Sequence, residues 1–351
     1  MRGRVSAGDG EARQNGHVSP LPQRRRPSTP AIVVALLILY VVWGSTYLGI
    51  ALMIETLPPL LAAGVRYLAA GLLLTAGVYL WARLRRAEAP ERPTRRQWRS
   101  AFVIGTLLLL GGNGFVVLAE QFIPSGVAAV MIATVPIWLA VFDALLTRRR
   151  PSRLVIGGLI AGLTGVAILL VPVEGLDRIN PLGVGLACTA AISWAVGSLY
   201  ARRAEMPRNG LLGSGIEMFA GGVVLAVVGT LLGEIGQLDL TSVSLRSALA
   251  VAYLIVFGSV IAFSAYVWLL NNVPVSTVGT YAYVNPIVAV ALGALVLSEP
   301  ITPRTAVAAV VIIAAVIAMV SGRPRQAEQP ARDVGASPRE GDARSVARAA
   351  D

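Results

Sequence analysis

Arg66 and Glu217 each interrupt an apolar run of some twenty residues. A charge in such a setting is costly, so it marks a functional position or a tightly held anchor. Around them stand polar and aromatic residues of the kind that hold a small organic molecule: Trp43, Ser45, Thr46, Asn113, Trp194, Tyr281 and Asn285. Tyr281 and Asn285 are four residues apart and share a helix face, while Tyr283 is turned about 200° away. Tyr281 with Asn285 therefore reads as a ligand pair, or Asn285 as a structural hydrogen-bonding group. The two tryptophans either stack on a substrate ring or fill the interior. Ser45 and Thr46 either serve a cavity or bond back to the preceding turn. Glu120 and Glu299 close apolar runs, where each is a coupling-proton site or a solvated carboxylate.

The elements that position these residues are membrane helices. The chain has 351 residues, of which 55% are hydrophobic and 14% charged, a balance suited to lipid rather than water. With about 20 apolar residues needed per crossing, spans are expected near 31–53, 60–81, 100–119, 124–145, 154–171, 182–201, 211–233, 247–270, 274–297 and 304–321. The expected fold is an all-α integral membrane protein with ten transmembrane helices. The first run is too long for a signal-peptide core. Pro124 and Pro274 suit the opening turns of the fourth and ninth helices.

All thirty basic residues are arginines. They cluster in alternate loops: Arg83 to Arg99, Arg148 to Arg153 and Arg202 to Arg208 fall on the side of both tails, against Arg178, Arg246 and Arg304 on the other. Positive loops stay in the cytoplasm, so both termini are expected there in a multi-pass protein of the cytoplasmic membrane. The Arg-rich tails, 1–30 and 322–351, lack an apolar period and read as disordered. Trp81 and Trp98 flank an arginine-rich loop as interface anchors.

Displacing the chain by 150 residues sets Pro124 on Pro274 and Pro136 on Pro286; a displacement of 151 sets Trp43 on Trp194 and Arg66 on Glu217. Two units, 31–171 and 182–321, each of five helices, must then enter the membrane in opposite senses, the arrangement that supports alternating access. Trp43 and Trp194 lie about 18 Å along their helices. Pro136 and Pro286 reach similar depth and each frees the carbonyl four residues earlier, on Ile132 and Ala282. Those oxygens line a cavity or mark a kink held inside the bundle. Arg66 lies about 9 Å below the outer surface and Glu217 about 9 Å below the inner. They read as members of opposite gates, or as anchors reaching toward the nearer interface.

The ordered motifs Trp43-Gly44-Ser45-Thr46-Tyr47, Gly64-Val65-Arg66, Gly112-Asn113-Gly114, Pro124-Ser125-Gly126, Ala133-Thr134-Val135-Pro136, Ser193-Trp194-Ala195, Ile216-Glu217-Met218, Tyr281-Ala282-Tyr283-Val284-Asn285-Pro286 and Ser298-Glu299 carry a resemblance. From about Ala31 to Val320 the chain resembles the EamA branch of the drug/metabolite transporter superfamily, bacterial inner-membrane members especially. The resemblance implies two inverted five-helix repeats, a central cavity, and transport or efflux of small metabolites or drug-like compounds. Ala195 departs from the first repeat, which has Gly44 after its tryptophan.

Other classes fit less well. His17 lies in the tail and Cys188 is the single cysteine, so no metal or other cofactor is expected. An enzyme would need an acid-base pair within the spans. A nucleotide-driven pump would need a lysine in its phosphate loop, and a channel a ring of charge or carbonyls. Dispersed arginine clusters do not form a nucleic-acid footprint. The expected partners are the bilayer, a small-molecule substrate and a coupling proton; no pattern sets an oligomeric state.

Overall fold

The computed structural model describes residues 28–88, 90–148, 153–170, 179–273, 275–278 and 280–321. The tails with His17, and also Pro274, lie outside the described residues. Among the described residues the secondary structure is helical, with no strand.

Ten principal helices among them follow in order: α1 (Thr29–Met53), α2 (Pro59–Leu84), α3 (Arg95–Ala119), α4 (Ser125–Leu146), α5 (Arg153–Leu170), α6 (Pro181–Ala201), α7 (Gly210–Leu231), α8 (Leu245–Leu270), α9 (Tyr281–Leu297) and α10 (Pro303–Ser321). Seven of them, α1 to α4 and α6 to α8, are long and apolar enough to cross a bilayer. The apolar cores of α5, α9 and α10 are shorter, at Ile156–Ile168, Val284–Leu297 and Pro303–Ala315. The ten expected spans therefore appear as seven full-length and three shorter apolar helices among the described residues.

Local sequence explains the helix starts. Thr94 and Gln97 exchange side-chain and backbone bonds in a capping box at α3, and Asn180 and Asn209 accept the first amides of α6 and α7. Each cap satisfies donors that the helix itself leaves unpaired. Apolar side chains such as Leu80, Leu231 and Leu295 remain exposed, as lipid-facing surfaces require.

The two halves of the chain interlock. The most extensive packing is α2 on α7, followed by α5 on α10, and α3 also packs on α6 and α7. Glycines make the α2–α7 seam close: Gly64 lies against Ala226, Gly222 against Leu68, Gly71 against Phe219 and Gly215 against Thr75. One antiparallel register holds throughout. A Cβ on Gly71 would come within 2.5 Å of the Phe219 amide nitrogen and 2.7 Å of the Gly215 carbonyl, so the two backbones touch as they do in small-residue membrane contacts.

Three helices depart from regular α geometry. Wide π turns occupy Leu39–Trp43 in α1, Thr106–Gly114 in α3 and Leu254–Ile261 in α8. Such turns displace the normal backbone bonding and recur at functional sites. The expected proline kink in α4 takes a different form. The helix is interrupted at Ala133–Thr134, and Pro136 enters the first turn of the segment Val135–Thr147, where its missing amide donor costs little. Pro286, by contrast, lies inside continuous helix.

Candidate functional site

The side chain that most needs explanation is Arg66, only 3% exposed. Its Nε donates to Ser259 Oγ at 3.1 Å, and its guanidinium carbon lies 4.6 Å from the Tyr67 ring centre. Among the described residues, Nη1 and Nη2 have no hydrogen-bond or ion-pair partner. Gly258 keeps that edge open: a Cβ there would come 3.4 Å from Nη2. The π turn of α8 thus brings Ser259 to Arg66 and leaves most of its donors free.

The same turn holds Trp43, whose indole Nε1 donates to the Gly258 carbonyl at 3.2 Å. Around Trp43 stand Phe263, Tyr266 and Tyr281, with ring centres 5.3, 5.3 and 4.9 Å away. These separations fall in the range of favourable aromatic pairing. Tyr40 bonds Thr280 at 2.6 Å, tying α1 to the start of α9. With its amide nitrogen oriented toward these acceptors, an assignment made from the surrounding bonds, Asn285 donates to the Tyr281 and Tyr40 carbonyls at 3.1 and 3.3 Å. Asn285 is therefore a structural tie at the edge of the cluster, and Tyr281 a wall of it.

Several expected residues fall elsewhere or act differently. Ser45 donates to the Val42 carbonyl and bonds Tyr253 at 2.5 Å, and Thr46 donates to the Trp43 carbonyl at 2.6 Å. Both hydroxyls stabilise the backbone after the α1 π turn. Trp194 packs on Gly112, where a Cβ would come within 2.6 Å of its ring, so the two repeat-related tryptophans do not share one aromatic cluster. Asn113 lies in the α3 π turn, partly buried. Pro136 and Pro286 sit on α4 and α9, which pack against α6 and α1 respectively.

The two helix-end carboxylates are not solvated as expected. Glu299 accepts from the Ser125 amide at 2.9 Å, the Gly126 amide at 3.3 Å and the Ser125 hydroxyl at 3.0 Å. It caps α4, where orphan amides and the helix dipole favour an anion. Glu120 is enclosed, and neither Oε1 nor Oε2 has a hydrogen-bond partner. The charges of Glu299 and Arg66 reach it, and its own reaches Tyr47. An ionised carboxylate in that position would cost several kcal/mol. Glu217 is partly buried on α7, and Tyr67 feels the charges of both Glu217 and Arg66.

Sequence reasoning missed two contributions. Glu234 is buried and accepts from the Leu60 and Leu61 amides at 3.1 and 2.7 Å, capping α2 as Glu299 caps α4. Nothing near Glu234 in sequence reveals a partner 174 positions away. The other is α8, which supplies Tyr253, Gly258, Ser259, Phe263 and Tyr266. Its visible signal is the small pair Gly258-Ser259 inside an apolar run, flanked by aromatics.

Comparison with known proteins agrees with this architecture. A family model described as the EamA-like transporter family matches twice, over residues 30–171 and 181–321. The chain is 42% identical over 291 residues to an uncharacterized inner membrane transporter, YedA of Escherichia coli K12, covering 82% of this chain and 90% of that protein. It is 29% identical to protein PecM of Dickeya dadantii, covering 79% and 88%. A solved crystal structure shares the fold with a TM-score of 0.55 at 20% identity, covering 83% of this chain and 96% of its own. Two matches to one family along most of the chain, joined to a helical membrane architecture in which the halves interlock, place this protein in the EamA-like transporter family.

Proposed function

We propose that this protein is a secondary transporter that moves small metabolites or drug-like compounds across the cytoplasmic membrane by alternating access. The observation that carries the reading is the meeting of Arg66, the α8 π turn and the Trp43 aromatic cluster between interlocked halves. A buried cation with free donors beside aromatic walls is a binding arrangement, and apolar pockets with few polar groups are the usual form of a small-molecule site. The name of the 42% identical relative supports an inner-membrane location.

In this reading ten spans form two inverted repeats, 31–171 and 182–321, with both termini cytoplasmic. The face carrying Glu55, Ser244 and Glu299 is then external. That face is stitched across the halves: Arg246 pairs with Glu55 at 3.4 Å, Ser247 donates to the Leu52 carbonyl at 2.7 Å, and Glu234 and Glu299 cap α2 and α4. A fastened outer face supports loading from the cytoplasm and hence efflux. Arg66 and Glu217 would guard opposite ends of the path. Glu120, enclosed without donors, is the strongest choice for a coupling-proton site, since protonation removes the cost of burying its charge.

Reconstitution in proteoliposomes tests the reading. A panel of amino acids, sugars and cationic drugs, with and without an imposed proton gradient, should reveal saturable movement of at least one class. Flux no greater than in protein-free vesicles for every compound would reject it.

A further inference from the structure

We infer that the furrow between α1 and α8 holds one acyl chain of an anionic phospholipid, whose phosphate lies against arginines at the furrow's mouth. The inference concerns the outer surface of the bundle and does not depend on the transporter reading.

The furrow has a volume of about 570 Å³ and is walled by residues of both helices. It runs from Pro30 and Trp268 at its mouth to Ile38 and Val260 at its inner end. There it meets the π turns of both helices, which Trp43 joins by its bond to Gly258. Eight residues along either helix measure about 12 Å at 1.5 Å per residue. Half of a hydrocarbon core about 30 Å thick is about 15 Å. The furrow is thus as long as one leaflet is deep, which suits a lipid chain. A partner helix crossing the whole core would find it closed halfway.

Its walls exclude a polar occupant. No charged side chain lines the furrow, and Ser264, its one hydroxyl, donates to the Val260 carbonyl at 2.7 Å. Val34 forms one edge and is 55% exposed, so the furrow opens sideways onto the surface that faces lipid.

The mouth has the opposite chemistry. Arg24, Arg25 and Arg26 precede Pro30 by four to six residues, so chain length alone keeps them within about 22 Å of it at 3.6 Å per residue. Gly210 packs on Val267, beside Trp268, which sets Arg208 at the same end of α8. Arg208 is exposed and has no ion pair among the described residues. Ser28 makes no side-chain bond to the opening amides of α1, so those donors and the helix dipole also favour an anion at the mouth. Trp268 lies two residues from the end of α8, at the level where tryptophan suits the headgroup boundary. Cationic groups over a leaflet-deep apolar slot match a phospholipid of net negative charge, and they repel the choline of a zwitterionic one.

The test reads contact between lipid and Trp268 in the full chain, purified in an uncharged maltoside detergent. Phosphatidylglycerol and phosphatidylcholine carrying the same brominated acyl chains are titrated in, and the quenching lost in Trp268→Phe is assigned to Trp268. Each arginine near an anionic surface adds roughly fivefold in affinity, so phosphatidylglycerol should half-quench Trp268 at a concentration at least about tenfold below phosphatidylcholine. Exchanging Arg24, Arg25, Arg26 and Arg208 together for Gln should remove the preference, whereas exchange for Lys should keep it. Ala31→Phe fills the furrow from an exposed position and should weaken quenching by phosphatidylglycerol. Should the Gln variant fail to fold, raising salt from about 0.05 M to about 0.5 M should abolish the preference in the parent, because salt shortens the reach of surface charge. Equal half-quenching concentrations for the two lipids would show ordinary surrounding lipid and overturn the proposal. So would a preference that survives the Gln exchange, or quenching unchanged in Ala31→Phe. A dimeric mass with Trp268 unquenched by either lipid would assign the furrow to a second copy of the chain and overturn it as well.

Discussion

Arg66 and Glu217 stand about two helical turns apart along the α2–α7 seam, each on the face of its helix turned away from the other helix, and neither neutralises the other. Rigid, glycine-lined contact fixes that interval, because neither helix can slide without driving backbone into backbone.

Their role in access is open to direct measurement. With cysteines placed at the outer and inner mouths, Arg66→Gln should shift labelling toward one side of the membrane and Glu217→Gln toward the other. Unchanged ratios at normal expression would reject opposite gates.

The α2–α7 seam predicts a contrast between two glycines of the same helix. Gly71→Leu should destabilise by about 3 kcal/mol through overpacking, seen as loss of monodisperse protein on size-exclusion chromatography. A Cβ on Gly77 would meet no neighbour within 4 Å, so Gly77→Leu should leave yield and thermal stability near those of the parent.

Removing either long-range cap should loosen the structure. Glu299→Ala leaves the Ser125 and Gly126 amides without their acceptor, and Glu234→Ala does the same to Leu60 and Leu61. Each change is expected to cost about 2–3 kcal/mol. Thermal unfolding in detergent should show a lower midpoint for both, with a smaller loss for the Gln variants, which keep one acceptor oxygen. Midpoints equal to the parent would show that water replaces the carboxylates.

If Glu120 carries the coupling proton, Glu120→Gln should keep the fold, since the amide is a neutral near-isostere of the acid, and should abolish the response of transport to an imposed proton gradient. The check is substrate flux in proteoliposomes with and without that gradient. A full gradient response in Glu120→Gln would remove Glu120 from coupling and turn attention to Glu217.

The arginine distribution predicts that reporters fused to either terminus are active only on the cytoplasmic side. Periplasmic activity at one terminus alone would mean an odd number of crossings.

Much of the architecture was legible because lipid imposes a simple demand. Backbone polar groups must be satisfied inside each helix, so apolar runs and the punctuating prolines could be read along the chain, whereas the caps at Asn180 and Asn209 emerged only in the structure. The internal correspondence of Arg66 with Glu217 was visible for the same reason. Of the two readings open for Glu120 and Glu299, the solvated one fails because a helix end in sequence does not reveal what packs over it.

The sequence by itself determined a helical membrane protein of two similar halves, with charge at two matched positions. Tertiary structure decided which charges meet partners. Glu299 and Glu234 close on amides 174 positions away, Glu120 is enclosed without a donor, and Arg66 keeps free donors beside the α8 π turn. The physical reason is range. Helix formation depends on bonds four residues apart, whereas capping across halves, burial of a carboxylate and the two-turn interval between Arg66 and Glu217 depend on how glycine-lined faces bring distant helices into contact.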